Sequence, residues 1–269
     1  MTGVFVLGMH RSGTSATTRA INLLGVPLAR HEALIPPSPN NPTGFWEVAR
    51  LTAFNNELLA ELGGSSMGPP LLEEGWARRS ELERRRSRAR RLFEQAHATP
   101  SWVWKDPRNC VTFPFWVEAL DVPPVAVVVH REPDEVARSL SARQGLSGAM
   151  SRAVWERYTR AALGNARGLP AYVTRYADLV DSPEAWALEI GSFLRDRGLP
   201  VEPDRGASEV QAFVGGGGDQ RPPVDSTGRT SVGTEEPGGA ESAAVPGESA
   251  PQPSDAQRAL AEAVESLVG

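Results

Sequence analysis

The segment Gly8–Ser15 has the residue types of a loop that binds a phosphate-like anion. It follows the apolar run Val4–Leu7 and precedes a segment with helical apolar spacing. In such a strand, loop and helix, backbone N–H groups and the helix dipole point at the ligand. The glycine spacing is that of the ATP-binding loop, but Thr14 stands where that loop has its lysine, and the basic residue is Arg11. The segment therefore predicts an anion site that holds something other than a triphosphate. The expected ligand-binding residues are Arg11, Ser12, Gly13, Thr14 and Ser15.

A second candidate anion site lies after the most strand-like run of the chain, Val125–Val129. Arg131 follows that run, and Ser139 lies eight residues later in a predicted helix. A planar guanidinium and a hydroxyl together suit a phosphate group. An ion pair between Arg131 and Asp134 is the alternative, and the sequence leaves both interpretations open.

A third group of polar residues follows the predicted strand Ser101–Trp104. It contains Lys105, which is the only lysine of the chain, and Arg108. A compact, flexible ammonium differs in use from a guanidinium, so a single lysine among many arginines suggests a specific role. A surface pair between Lys105 and Asp106 is the alternative.

Short apolar segments alternate with helical patterns along the first 200 residues, which is typical of an α/β fold. We expect three layers around a mainly parallel central sheet of the P-loop type. Ligands of such sheets bind beyond the carboxyl ends of the strands, where each polar motif falls. The predicted strands are Val4–Leu7, Ser101–Trp104, Val125–Val129 and Ala171–Thr174. The predicted helices are Thr14–Leu24, Leu51–Leu62, Arg78–Ala96, Pro133–Arg143, Arg152–Gly168 and Pro183–Arg197.

The composition changes after about residue 202. From Pro203 to the end there are 4 Arg and 11 Asp and Glu, whereas the preceding part has 24 basic and 22 acidic residues. Pro, Gly, Ser and Glu dominate this stretch, which has too little apolar surface to offset the entropy of ordering. We therefore predict an α/β domain over 1–202, a disordered acidic tail over 203–254 and a short helix within 255–269.

The overall composition limits the classes of protein. A single cysteine, Cys110, excludes a disulfide framework within the chain and most thiolate metal sites, and it favours a cytoplasmic protein. No apolar run reaches the length of a membrane span, and Met1 leads directly into strand-like sequence without a signal-peptide pattern. The Arg-rich run Arg78–Arg91 is interleaved with Glu, which indicates a solvated helix face rather than a nucleic-acid site.

Taken together, the two anion motifs resemble those of sulfotransferases that use 3′-phosphoadenosine-5′-phosphosulfate (PAPS). In that family an early loop, Lys/Arg-x-Gly-Thr-Thr/Ser/Arg, holds the 5′-phosphosulfate, and Arg11–Ser15 matches it. A later strand ends in Arg-x-Pro with a serine eight residues after the arginine and holds the 3′-phosphate, a pattern that Arg131 and Ser139 match. Arg175–Leu179 resembles the family's Tyr-Glu-Asp-Leu element, with Ala177 at the Glu position.

The resemblance extends from residue 4 to about 199. It implies a metal-free transfer of a sulfuryl group from PAPS to a hydroxyl of a glycan, a lipid or a secondary metabolite. Lys105 stands where many members have a lysine that faces the sulfuryl group, but the histidine that often follows two positions later is Pro107 here. The resemblance therefore makes Lys105 and Arg11 candidate catalytic residues.

The acceptor hydroxyl needs a general base, for which the sequence offers three candidates. Glu47, in the proline-rich segment that ends Gly-Phe-Trp-Glu, is preferred over Asp106 and His31. The alternative for Glu47 is a carboxylate in the first turn of the next helix. The expected acceptor-binding residues are His31, Asp106 and Arg108. A nucleotide or metabolite kinase and a non-catalytic nucleotide-binding module remain the alternative functions.

Overall fold

The computed structural model describes residues 2–38, 41, 43–218 and 252–268. Its sheet has four parallel strands in the order β2-β1-β3-β4. These strands are β1 Thr2–Leu7, β2 Ser101–Lys105, β3 Pro124–His130 and β4 Ala171–Arg175. All four begin and end within two residues of the predicted strands, and the predicted α/β class with a mainly parallel sheet is confirmed.

Helices cover both faces of the sheet because alternate strand residues point to opposite sides. Val4 and Val6 of β1 pack with one set of helices (α1, α7, α8, α9), and Phe5 and Leu7 pack with the other (α2 to α6 and α10). The result is the expected three-layer domain with an apolar core on each side of the sheet. The α-helices of the described residues are α1 Thr14–Leu23, α2 Ala49–Glu61, α3 Glu83–Ala96, α4 Asn109–Leu120, α5 Pro133–Gln144, α6 Gly148–Ala166, α7 Tyr176–Asp181, α8 Pro183–Arg195, α9 Pro203–Phe213 and α10 Asp255–Glu265.

The strand order defines where a ligand binds. The chain leaves β1 toward β2 on one side, and it leaves β3 toward β4 on the other. In parallel sheets such a switch opens a crevice beyond the carboxyl ends of the two central strands. The loop after β1 is the glycine segment, and the residues after β3 include Arg131, so the two predicted anion motifs flank the same crevice.

Helix α4 was not predicted, because Pro114 lies inside it and an interior proline normally breaks a helix. Pro114 lacks the N–H that would bond to the carbonyl of Cys110, four residues earlier. The side-chain Nδ2 of Asn165, on α6, donates to that carbonyl oxygen at 2.8 Å instead. The neighbouring helix therefore satisfies the acceptor that the proline leaves, and α4 continues.

The predicted domain boundary at residue 202 is too early. Helix α9 lies in the stretch expected to be disordered, and its Ala207 and Val210 are buried in the core on the α1 side. This helix begins with Pro203 at its first turn, a position that proline favours. The remainder of the predicted tail, 219–251, lies outside the described residues.

Two further segments refine the predictions. The predicted helix Arg78–Ala96 begins at Glu83, and two 3-10 turns, Trp76–Arg78 and Ser80–Leu82, precede it. The C-terminal helix α10 packs on the domain through Leu260 and Val264. No helix in the described ranges is both long and apolar enough to span a bilayer.

Candidate active site

The glycine loop has the backbone conformation that an anion-binding turn requires. Gly13 has φ +85°, and a Cβ there would lie 2.0 Å from the ring of Tyr176, so only glycine fits. Arg11 also has a positive φ of 71°, which is strained for a residue with a side chain. A Cβ at Gly8 would lie 2.7 Å from Thr14, and the Gly8 N–H is donated to the buried Sγ of Cys110 at 3.1 Å. The sheet and α7 therefore hold the loop tightly.

Arg11 and the second anion motif meet across the crevice between β1 and β3. Nε of Arg11 donates to Oγ of Ser139 at 2.9 Å, and Nη1 of Arg131 donates to the carbonyl oxygen of Arg11 at 3.0 Å. Arg131 also stacks over the ring of Tyr176 and pairs with Glu135 at 2.7 Å. The alternative partner Asp134 pairs with Arg152 instead. The structure therefore brings the two predicted anion motifs into direct contact.

A third arginine, Arg143, completes a positively charged group that sequence reasoning missed. Burial and, after it, the charges of Arg143 and Arg131 together lower the pKa of Arg11 to about 10. Three cations this close repel one another, which favours binding of an anion between them. Arg143 lies four residues after Ser139 on α5, so the two share a helix face. That spacing is the signal that would have found it.

Lys105 lies at the opposite edge of the glycine loop. It is 1% exposed, and its Nζ donates to Oε1 of Glu47 at 2.6 Å and to Oγ of Ser15 at 3.1 Å. The interpretation of Lys105 as a surface partner of Asp106 is therefore wrong. The structure places a preferred cation and the preferred general base in one buried ion pair beside the loop.

The proline-rich segment positions Glu47. The Glu47 carbonyl oxygen accepts the N–H of Ile35 at 2.8 Å, which closes the segment on itself. Oγ of Ser15 donates to the carbonyl oxygen of Phe45 at 3.2 Å, which ties the segment to the glycine loop. Trp46 has φ 56°, and the guanidinium of Arg19 stacks 5.1 Å from its ring centre. Glu47 lies two residues before α2, which begins at Ala49, so it is not in the first turn of that helix. The folded proline-rich segment directs its side chain toward Lys105 instead.

Both carboxylate oxygens of Asp106 accept hydrogen bonds from neighbouring residues. Its Oδ1 accepts the backbone N–H and Nη1 of Arg108, and its Oδ2 accepts Nδ2 of Asn55 at 2.9 Å. Burial alone would raise its pKa, but the charge of Arg108 and these hydrogen bonds outweigh burial and lower it. Asp106 holds Arg108, whose Nη1 lies 3.8 Å from Oε2 of Glu47. Arg108 therefore faces the same carboxylate as Lys105.

The two histidines of this region differ in placement. His31 is exposed on a 3-10 turn, and within the described residues no hydrogen bond or ion pair joins it to Glu47 or Lys105. His10, in the glycine loop, lies among the site charges, and its ring packs edge-on against Tyr158. Burial lowers the pKa of His10 to about 3, and the charge of Arg108 acts in the same direction. His10 is therefore a neutral ring at pH 7 within the site.

The chain has been compared with known proteins. No protein-family model matches it, and no curated protein matches it at a significant level. Among solved structures it is similar to the sulfotransferase domain from the curacin biosynthetic pathway, with 19% identity over 76% of this chain and 77% of that one and a TM-score of 0.43. It is also similar to sulfotransferase STF9 from Mycobacterium avium, with 12% identity over 83% of this chain and 70% of that one and a TM-score of 0.49. The sulfotransferase domain of the Synechococcus PCC 7002 olefin synthase is similar as well, with 20% identity over 76% of each chain and a TM-score of 0.44. The likeness is one of fold at low identity, so the functional proposal depends on the side chains of the site.

Proposed function

We propose that the protein is a cytoplasmic sulfotransferase that moves a sulfuryl group from PAPS to a hydroxyl group of a glycan, a lipid or a secondary metabolite. One observation carries the proposal. The glycine loop has a separate cation on each side, with Arg131 and Ser139 beside Arg11 at one edge and Lys105 beside Ser15 at the other.

Two separated anion subsites suit a donor that carries two separated anionic groups. The 3′-phosphate would bind between Arg131, Ser139 and Arg143, where like charges already lower the pKa of Arg11. The 5′-phosphosulfate would bind at the loop, because its backbone N–H groups and the start of α1 attract anions. The glycines at 8 and 13 let the backbone approach the ligand, and a Cβ at either position would clash.

The second edge supplies the groups that the transfer needs. Glu47 would take the proton of the acceptor hydroxyl as the acceptor oxygen bonds to sulfur. The bond between sulfur and the bridging oxygen breaks, and its electron pair stays on the departing 5′-phosphate. Lys105 would stabilise this negative charge from the second edge, and Arg11 would do so from the first edge of the loop. Because Lys105 and Glu47 are in contact at 2.6 Å, binding of the sulfuryl group would divert the ammonium and leave the carboxylate available to the acceptor.

The kinase alternative needs a carboxylate that can hold a magnesium ion near the loop. Asp106 directly follows β2, the strand next to β1, but it is fully buried and its two oxygens accept hydrogen bonds from Arg108 and Asn55. Strand β3 ends in His130 followed by Arg131, which adds positive charge instead. Both features favour a donor that requires no metal over a magnesium-bound triphosphate.

The test is a transfer assay with PAPS and a panel of hydroxyl acceptors, in which release of adenosine 3′,5′-bisphosphate is measured. We expect acceptor-dependent release by the wild type and at least an approximately hundredfold lower rate for Glu47→Gln. Glu32→Gln is the matched control, because Glu32 is an exposed carboxylate near the start of the same segment. Transfer of phosphate from ATP with no sulfuryl transfer would refute the proposal, and bisphosphate binding without turnover on any acceptor would indicate a binding module.

A further inference from the structure

The C-terminal helix α10 brings a carboxylate against the carboxyl end of strand β3. Oε1 of Glu265 lies 3.2 Å from Nε2 of His130, and Oε1 of Glu132 lies 3.9 Å from the same nitrogen. One ligand atom from each of these three residues lies within 4.8 Å of the others. His130 ends β3, Glu132 precedes α5, and Glu265 ends α10, so three separate elements meet here.

The imidazole of His130 is buried without a hydrogen bond. The residue is 3% exposed, and neither ring nitrogen has a hydrogen-bond partner within the described part of the chain. A buried polar group without a partner destabilises a fold unless something else satisfies it. An imidazole whose ring nitrogens have no other partner can offer a lone pair to a metal ion.

The two carboxylates carry negative charge that the neighbouring cations balance only in part. Oε2 of Glu265 accepts from Arg175 at 3.3 Å, while its Oε1 faces His130. Arg175 thus holds one oxygen of the Glu265 carboxylate, so that the other oxygen faces the His130 ring. Residues that hydrogen-bond to metal ligands orient those ligands in the same way. Glu132 also lies near the carboxylates of Glu265, Glu135 and Asp134. A cation among these groups would relieve the repulsion between their negative charges.

We propose that His130, Glu132 and Glu265 bind one divalent first-row transition-metal ion, such as Zn²⁺. Ligand atoms about 2.1 Å from such an ion are separated by about 3.0 to 3.4 Å for angles between 90° and tetrahedral. The distance of 3.2 Å between His130 and Glu265 falls in this range, whereas the 3.9 Å between His130 and Glu132 exceeds it, so the Glu132 carboxylate would move toward the ring on binding. One imidazole and two carboxylates suit zinc, cobalt or manganese better than calcium, which prefers oxygen ligands throughout. Water completes the coordination.

The bound ion would act as a clip, meaning a cross-link between α10 and the carboxyl end of β3 beside the anion site. Leu260 and Val264 bury the apolar side of α10 in the core, and the metal would fix its carboxyl end to β3. His130 immediately precedes Arg131, so the clip would hold the strand end that presents this arginine. The metal would have a structural role, and the proposal does not depend on the proposed sulfuryl transfer.

The test is a calorimetric titration of the chelator-treated full chain with Zn²⁺, followed by hydrogen exchange of α10 with and without the ion. We expect one bound ion and slower exchange over 255–265. Glu265→Gln and Glu132→Gln should each weaken binding at least about tenfold. Glu262→Gln is the matched control, since Glu262 is an exposed glutamate one turn earlier on the same helix, and it should bind like the wild type. His31→Ala, which removes the exposed histidine, should also leave binding unchanged.

Three results would overturn the proposal. The first is no binding of Zn²⁺ to the wild type. The second is binding that places the ion elsewhere. Wild-type affinity in Glu265→Gln or Glu132→Gln would show this, and so would loss of binding in His31→Ala. The third is unchanged exchange of α10 when the ion is bound. The far-ultraviolet dichroism of each variant without metal verifies that the variants are folded.

Discussion

Asn55 is the centre of a buried polar network that supports the candidate site. It is fully buried, and its Nδ2 donates to Oδ2 of Asp106 and Oδ1 of Asn109, each at 2.9 Å. Its Oδ1 accepts from Oγ1 of Thr112 at 3.1 Å and from Nε1 of Trp116 at 2.8 Å. The amide therefore uses both donors and both acceptor positions. Because Asp106 in turn holds Arg108, this network sets one wall of the site.

Asn55→Leu keeps a similar volume and removes all four hydrogen bonds. Thr112 retains the carbonyl oxygen of Arg108 as an acceptor at 3.2 Å, so its hydroxyl is not stranded. Oδ2 of Asp106, Oδ1 of Asn109 and Nε1 of Trp116 are left buried without this partner. A stranded group costs about 1–3 kcal/mol, and more when it is charged. We therefore expect the free energy of unfolding to fall by about 4 kcal/mol.

Urea unfolding followed by tryptophan fluorescence measures this change. The matched control is Asn56→Leu, the same substitution at the adjacent exposed position, where the amide oxygen only accepts from Nε of Arg108 at 2.6 Å. The control should lose less than about 1 kcal/mol. A loss below about 1 kcal/mol in Asn55→Leu, or equal losses in both variants, would refute the view that the four buried hydrogen bonds of Asn55 stabilise the protein.

Three further predictions concern the loop, the site cation and acid stability. Gly13→Ala should destabilise the protein by about 2 kcal/mol or more in urea unfolding, because φ is +85° and the new Cβ would clash with Tyr176; wild-type stability would contradict the loop geometry. Lys105→Ala should keep its affinity for adenosine 3′,5′-bisphosphate in calorimetry but lose at least about a hundredfold in turnover, and a near-normal rate would remove Lys105 from the chemistry. Burial lowers the pKa of His97 from 6.5 to about 4, so the unfolded chain takes up the proton first as the pH falls. The contribution of the neutral histidine to the free energy of unfolding is complete above pH 6.5 and is lost toward pH 4. Between about pH 7 and 4.5, the free energy of unfolding of the wild type should therefore fall by about 2–3 kcal/mol more than that of His97→Leu. An equal fall in the two proteins would contradict this prediction.

Periodicity and strand composition predicted the architecture well but not every helix. The four strands are short apolar runs with polar residues directly after them. This pattern is local in the sequence, so no information about distant residues is needed to predict the strands. Helix α4 could not be predicted, because its stability depends on Asn165, which is distant in sequence and compensates for Pro114. Helix α9 was missed because glycine- and proline-rich sequence follows it and concealed its buried Ala207 and Val210.

The site was predictable as a set of motifs but not as a set of pairings. Residue types and spacing placed Arg11, Arg131 and Lys105 after strand ends and Ser139 on the helix after Arg131, and parallel topology brings strand ends together. The sequence could not decide between Glu47 and Asp106 as the base. The folded structure shows that Arg108 and Asn55 bond to the carboxylate of Asp106, a pairing that the sequence does not reveal. Their assigned roles in transfer remain predictions.

The central claim is that the site has a dedicated subsite for a 3′-phosphate in addition to the loop. Calorimetric titration of the full chain with adenosine 3′,5′-bisphosphate and with ADP tests it most directly, because ADP has no 3′-phosphate. We predict at least about tenfold tighter binding of the 3′,5′-bisphosphate, a difference of about 1.4 kcal/mol. Arg131→Ala should abolish this preference, and Arg138→Ala, which removes an exposed arginine of the following helix α5, should retain it. Equal affinity of the wild type for the two nucleotides would contradict the claim.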